Sequence, residues 1–133
     1  VNWTFGGNMN LASIWGTPIL LGDELIFTDK AGKIIALNPE TGEQLWTLDA
    51  GGAVIAGLAK VEDKGFLVAR EDGNLQFFNL DHVTQWNATV SGKIYSAPIV
   101  VGEQIFVPAV KGDSILYTYN VTGQQGWSFT PAK

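Results

Sequence analysis

The chain has 133 residues, a formal net charge of −5 and a pI near 4.6, with 46% hydrophobic, 16% charged and 11% aromatic residues. That length suits one domain, that composition excludes a disordered chain, and eight Lys and Arg scattered singly argue against nucleic acid as a partner. No 18-residue apolar run is present for a membrane-spanning helix, and the absence of Cys excludes disulfides, thiol catalysis and thiolate metal sites.

The chain starts at Val1 without Met, as a processed or excised chain would. A strand around Trp3 leads, followed by Gly6-Gly7 and the loop Asn8-Met9-Asn10-Leu11. Four short β patterns come next, at residues 18–21, 25–28, 33–38 and 44–48, punctuated by Gly22-Asp23, Ala31-Gly32 and Thr41-Gly42. A second set covers 57–61, 65–69, 74–79 and 85–90, with Asp72-Gly73 as a hairpin turn. A third covers 98–101, 104–107, 114–119 and 126–130. No segment sustains a 3.6-residue period, so no helix longer than one turn is predicted.

The sets are copies of one unit. Trp3, Trp46, Trp86 and Trp127 stand 43, 40 and 41 residues apart. Thr17-Pro18-Ile19-Leu20-Leu21-Gly22-Asp23 matches Ala97-Pro98-Ile99-Val100-Val101-Gly102-Glu103, and the Thr41-Gly42 turn matches Thr122-Gly123. Four antiparallel strands in about 40 residues make one blade of a β-propeller. The expected fold is therefore all-β: three four-stranded blades plus one extra N-terminal strand. The expected division is 1–13 as the last strand of a preceding blade with its loop, then blades at 14–52, 53–92 and 93–133.

Ala36-Leu37-Asn38-Pro39-Glu40-Thr41-Gly42-Glu43-Gln44-Leu45-Trp46 resembles the Ala-x-Asp-x-x-Thr-Gly-x-x-x-Trp tryptophan-docking motif of PQQ-like (quinoprotein dehydrogenase-like) propeller repeats, with Asn38 in place of Asp. The third copy keeps Thr122, Gly123 and Trp127 and sets Tyr119 at the Asp position. The middle copy keeps Trp86, with Asp81-His82-Val83 replacing the Thr-Gly turn. Trp3, Trp46, Trp86 and Trp127, one large aromatic on each outer strand, are expected to dock over a turn and the adjacent blade, and Trp86→Ala is expected to cost less than Trp46→Ala because its own turn lacks Thr-Gly. The resemblance implies an extracytoplasmic location, periplasmic, cell-surface or luminal. Family functions span PQQ dehydrogenases, BamB-type envelope scaffolds, repeats appended to membrane insertases and luminal stress-sensor domains, so fold alone does not choose among them.

Three blades do not close a ring of 4–8. An open arc exposes a blade face at each end. Either the remaining blades lie on a longer parent, or a second copy closes a six-blade ring. His82 is the sole His and reads as a solvated turn residue. No Ser has a credible His partner, and the charged hairpins Glu62-Asp63-Lys64 and Arg70-Glu71-Asp72-Gly73 lack calcium-loop spacing. Three sequons, at Asn2, Asn87 and Asn120, hug fourth strands, where β-propensity accounts for Thr. No residue of the dehydrogenase cofactor site carries over, so no cofactor and no catalysis are expected. The expected role is a non-catalytic protein-binding scaffold; a PQQ-dehydrogenase fragment and a luminal dimerisation domain are the alternatives. Trp15 and Tyr95 occupy equivalent positions entering the inner strand, and Asn10 lies in the longest inter-blade loop. These three are the candidate partner or ligand contacts.

Overall fold

A computed structural model describes residues 16–130. It contains three separate four-stranded antiparallel sheets, each in simple meander order. The first is β1 (Ile19–Leu21), β2 (Glu24–Thr28), β3 (Lys33–Leu37) and β4 (Gln44–Asp49); the second is β5 (Leu58–Val61), β6 (Gly65–Ala69), β7 (Asn74–Asn79) and β8 (Thr84–Thr89). The third is β9 (Ile99–Val101), β10 (Gln104–Pro108), β11 (Leu116–Asn120) and β12 (Gln125–Phe129). No helix occurs among the described residues. The innermost strands touch in series, β1 to β5 and β5 to β9.

The turn chemistry explains the strand boundaries. Leu21 pairs with Glu24 across a two-residue loop whose first position, Gly22, has φ 59°. A two-residue hairpin needs that left-handed start, and glycine adopts it without steric cost. β11 begins at Leu116, two residues later than the sequence pattern predicts. Lys111 at φ 62° and the Ser114–Thr130 hydroxyl contact of 2.6 Å hold the preceding segment as a loop.

The core lies between sheets. One cluster joins the facing sides of the first two blades, including Ile26, Ile34, Ala36, Leu58, Phe66 and Phe78. Another joins the second and third, including Leu67, Leu75, Phe77, Ile105, Val107 and Tyr119. Strand alternation produces this directly. Ile19, Ile26, Ala36 and Trp46 are cross-strand partners in one row facing blade 2, and Ala59, Leu67, Phe77 and Trp86 form the matching row facing blade 3. The middle blade is covered on both sides, so all of β6 is buried.

The two ends are unequal. On the side of blade 1 facing away from blade 2, Phe27, Ile35 and Leu37 are buried, while Leu20 in the same outward row as Leu37 is 54% exposed. On the far side of blade 3, Ile99, Val101, Trp127 and Phe129 are 57%, 62%, 55% and 52% exposed. The larger exposed apolar face is therefore at the third blade.

Candidate protein-interaction site

The site is best read from the two junctions that are complete. In every blade the outer strand pair carries a β-bulge beside its Trp, between Ala36 and Leu37, Phe77 and Phe78, and Tyr117 and Tyr119. A bulge re-aims the side chain next to it. Trp46 and Trp86 each reach the following blade.

Trp86 Nε1 donates to the Val121 carbonyl at 2.9 Å, and the ring stacks on Tyr119 at 6.3 Å with 21° between planes. It also lies flat against Gly123, where an added Cβ would sit 2.7 Å from the ring. Glycine is required there twice over, by φ 93° and by the ring. Trp46 instead lands on the second blade's turn. Its ring lies 3.9 Å from that of His82, at 30°, and 6.1 Å from Phe66. Its Nε1 donates to Glu24 Oε1 at 3.1 Å. His82 thus stands where blade 3 has Gly123, in the same left-handed conformation at φ 67°. The expectation of a solvated His82 is corrected: the imidazole is an inter-blade contact.

The turn between the third and fourth strands has the same cap in all three blades. Asn38 Oδ1 accepts from the N–H groups of Glu40 and Thr41, Asn79 Oδ1 from Asp81 and Val83, and Asn120 Oδ1 from Thr122 and Gln124. Asn120, not Tyr119, therefore occupies the turn position of Asn38. The three Asn residues lie 41 residues apart, a signal present in the sequence that alignment on Trp alone conceals. Thr41 Oγ1 accepts from the Glu43 N–H at 3.2 Å, and Gly42 at φ 76° donates its N–H to the Asn38 carbonyl. The Thr122 hydroxyl donates to Asn120 Oδ1 at 2.6 Å.

Trp127 has the strand position of Trp46 and Trp86. Its ring touches Phe106, at 6.1 Å and 59°. Ile99, Phe106 and Thr118 continue its row in register, and Thr118 Oγ1 donates to the Trp127 carbonyl at 2.6 Å. Beside the ring a cleft of about 230 Å³ is lined by Gln104, Thr118, Asn120, Gln124 and Trp127. This face has the chemistry of a blade junction: an apolar row with an indole N–H at its outer end.

Tyr95 is 41% exposed, although the adjacent Ile94 is fully buried in the core. Trp3, Asn10 and Trp15 lie outside the described residues. Among the described residues no group of three or more His, Asp or Glu is placed to hold a metal ion.

The family model described as outer membrane protein assembly factor BamB matches residues 2–88 and 30–132. The BamB of Burkholderia pseudomallei is 26% identical over 113 residues, covering 85% of this chain and 29% of that protein. The BamB of Salmonella typhimurium is 25% identical over 93 residues, covering 62% and 24%. The chain spans less than a third of the length of these relatives. Among solved structures, a quinohemoprotein alcohol dehydrogenase of Pseudomonas putida superposes with a TM-score of 0.78 at 21% identity, over 94% of this chain and 22% of that one. BamB of Moraxella catarrhalis superposes with a TM-score of 0.67 at 18% identity, over 77% and 30%. Those two likenesses establish the propeller fold.

Proposed function

The chain belongs to the PQQ-like repeat family of outer membrane protein assembly factor BamB, and from that membership we propose that it is a non-catalytic scaffold, three blades of a larger extracytoplasmic propeller that hold a protein partner. The open face of blade 3 carries this reading. An apolar row ending in Trp127 is what blades 1 and 2 present to their neighbours, so its fitting occupant is a further blade. In that larger ring, residues 14–52, 53–92 and 93–133 are the blades, and 1–13 completes a preceding one. A six-blade ring of two copies is the alternative, and it would use the same two end faces as a longer propeller. On this reading the partner contact falls at Tyr95, which is exposed, together with the sequence-predicted Trp15 and Asn10, which lie outside the described residues. Exposed aromatics beside a rigid core bury large area at low entropic cost.

Apolar-dye binding and sedimentation of the chain, with and without Ile99→Asp and Trp127→Ser, test the open face. Dye binding or self-association that both substitutions abolish supports it; a dye-silent monomer refutes it. Titration with pyrroloquinoline quinone tests the alternative, because a saturable absorbance change would favour a dehydrogenase segment over a scaffold.

A further inference from the structure

The two complete junctions use different locks. At the second, Gly65 stands where blade 1 has Glu24 and blade 3 has Gln104, and the Trp86 indole bonds to a backbone carbonyl. None of those groups titrates near neutrality. At the first junction, Glu24 Oε1 accepts from Trp46 Nε1 and also lies 3.5 Å from His82 Nε2. That nitrogen is buried and has no hydrogen-bond partner. The imidazole also lies 3.9 Å from the Trp46 ring.

We propose that Glu24, Trp46 and His82 form a proton-operated latch between the first and second blades, tightening when the imidazole is protonated. Imidazolium has an N–H to donate from Nε2, so it turns the Glu24 contact into a charge-assisted bond. It also places a cation over the indole face, the best aromatic partner for one. The neutral ring offers the carboxylate either a lone pair or an uncharged donor. Histidine is the side chain whose ordinary titration falls between pH 5 and 8.

The charges around this junction are mostly negative. At this end of blade 1 the charged groups are Asp23 and Glu24 in the β1–β2 hairpin and Glu40 and Glu43 in the β3–β4 turn. At this end of blade 2 they are Glu62, Asp63 and Lys64 in the β5–β6 hairpin and Asp81 beside His82. Lys64 is the one cation in these turns; Lys60, the strand partner of the Phe66 that packs on Trp46, is a second cation on the facing side of blade 2. The added stabilisation belongs to the protonated imidazole and is absent from the neutral one. The latch adds to the apolar core that already joins the first two blades, at its outer edge.

The test compares indole N–H hydrogen exchange of Trp46 with that of Trp86 in the same 133-residue chain, at pH 5.5 and pH 8. The ratio cancels the intrinsic pH dependence of exchange. Protection of Trp46 relative to Trp86 should rise about three- to five-fold at pH 5.5, the size of an exposed ion pair with a cation–π contact. Glu24→Gln keeps an acceptor for the indole and removes the charge; His82→Asn keeps a residue that tolerates φ 67° and removes the ring. His82→Asn should abolish the rise, and Glu24→Gln should reduce it, leaving only the contact of the imidazolium with the indole ring. A ratio independent of pH in the unsubstituted chain, or an undiminished rise in Glu24→Gln, overturns the latch.

Discussion

Trp86→Ala and Trp127→Ala make the sharpest comparison, because the two residues hold the same strand position and differ in having a blade to dock on. Trp86 contacts Phe77 at 5.8 Å and Tyr119 at 6.3 Å, lies on Gly123 and donates to Val121. A Trp side chain offers about 150–250 Å². With most of it covered, about 150 Å² at roughly 25 cal/mol per Å² gives about 4 kcal/mol, an upper value because unfolded chains already bury some surface. Allowing for that and for partial collapse of the site, Trp86→Ala should cost about 3 kcal/mol. Trp127 is more than half exposed, and its ring packs on Phe106 of its own blade. Its loss should cost about 1 kcal/mol. Trp86→Ala should also cost at least as much as Trp46→Ala, the reverse of the ranking read from each residue's own turn. Urea unfolding followed by far-UV circular dichroism, which does not depend on indole emission, measures all three. Equal midpoints for Trp86→Ala and Trp127→Ala would refute docking on the following blade.

Gly123→Ala should destabilise more than Gly22→Ala: both need a left-handed φ, but an added Cβ at Gly22 meets open space and one at Gly123 meets the Trp86 ring. Thermal melts of the two variants check this, and equal shifts would show that backbone strain alone matters. Asp72 is partly desolvated, which raises its pKa, but the bond from Arg70, the Asn74 N–H and the charges of Arg70 and Lys93 together hold the carboxyl below its ordinary value. Its contribution is therefore present above the ordinary carboxylate range and lost as pH falls below it. Asp72→Asn should flatten the acid limb of the stability–pH curve and leave the neutral region little changed; an unchanged acid limb would show that the pair with Arg70 contributes nothing. Burial, then the nearby Tyr117, raises the Tyr119 hydroxyl. Folding should therefore weaken above the ordinary tyrosine range, and Tyr119→Phe should reduce that alkaline loss; identical alkaline limbs would contradict it.

Strand positions were legible because strand formation here is local. Glycine at Gly22 and Gly102 and alternation in segments such as Asn74–Asn79 are properties of neighbours in the chain. Which turn a Trp covers was not legible, because Trp86 and Val121 meet across 35 residues. The capping role of Asn79 was hidden by the missing Thr-Gly signature, although its side chain performs the same bonding as Asn38 and Asn120. His82 was misread because a left-handed turn His beside Asp81 looks solvated until a ring from another blade is placed on it. The asymmetry of the two ends depends on burial at Phe27, Ile35 and Leu37, which pattern alone assigns to an exposed face.

Exchange of the Trp127 indole N–H tests the central claim most directly, that blade 3 ends in an unfilled junction. In the dilute chain the Trp127 signal should exchange far faster than that of Trp86. It should become protected, approaching Trp86, when concentration drives self-association or when a covering blade is supplied. Trp127 protected like Trp86 in a dilute monomer, or left unprotected in the associated form, would contradict the account.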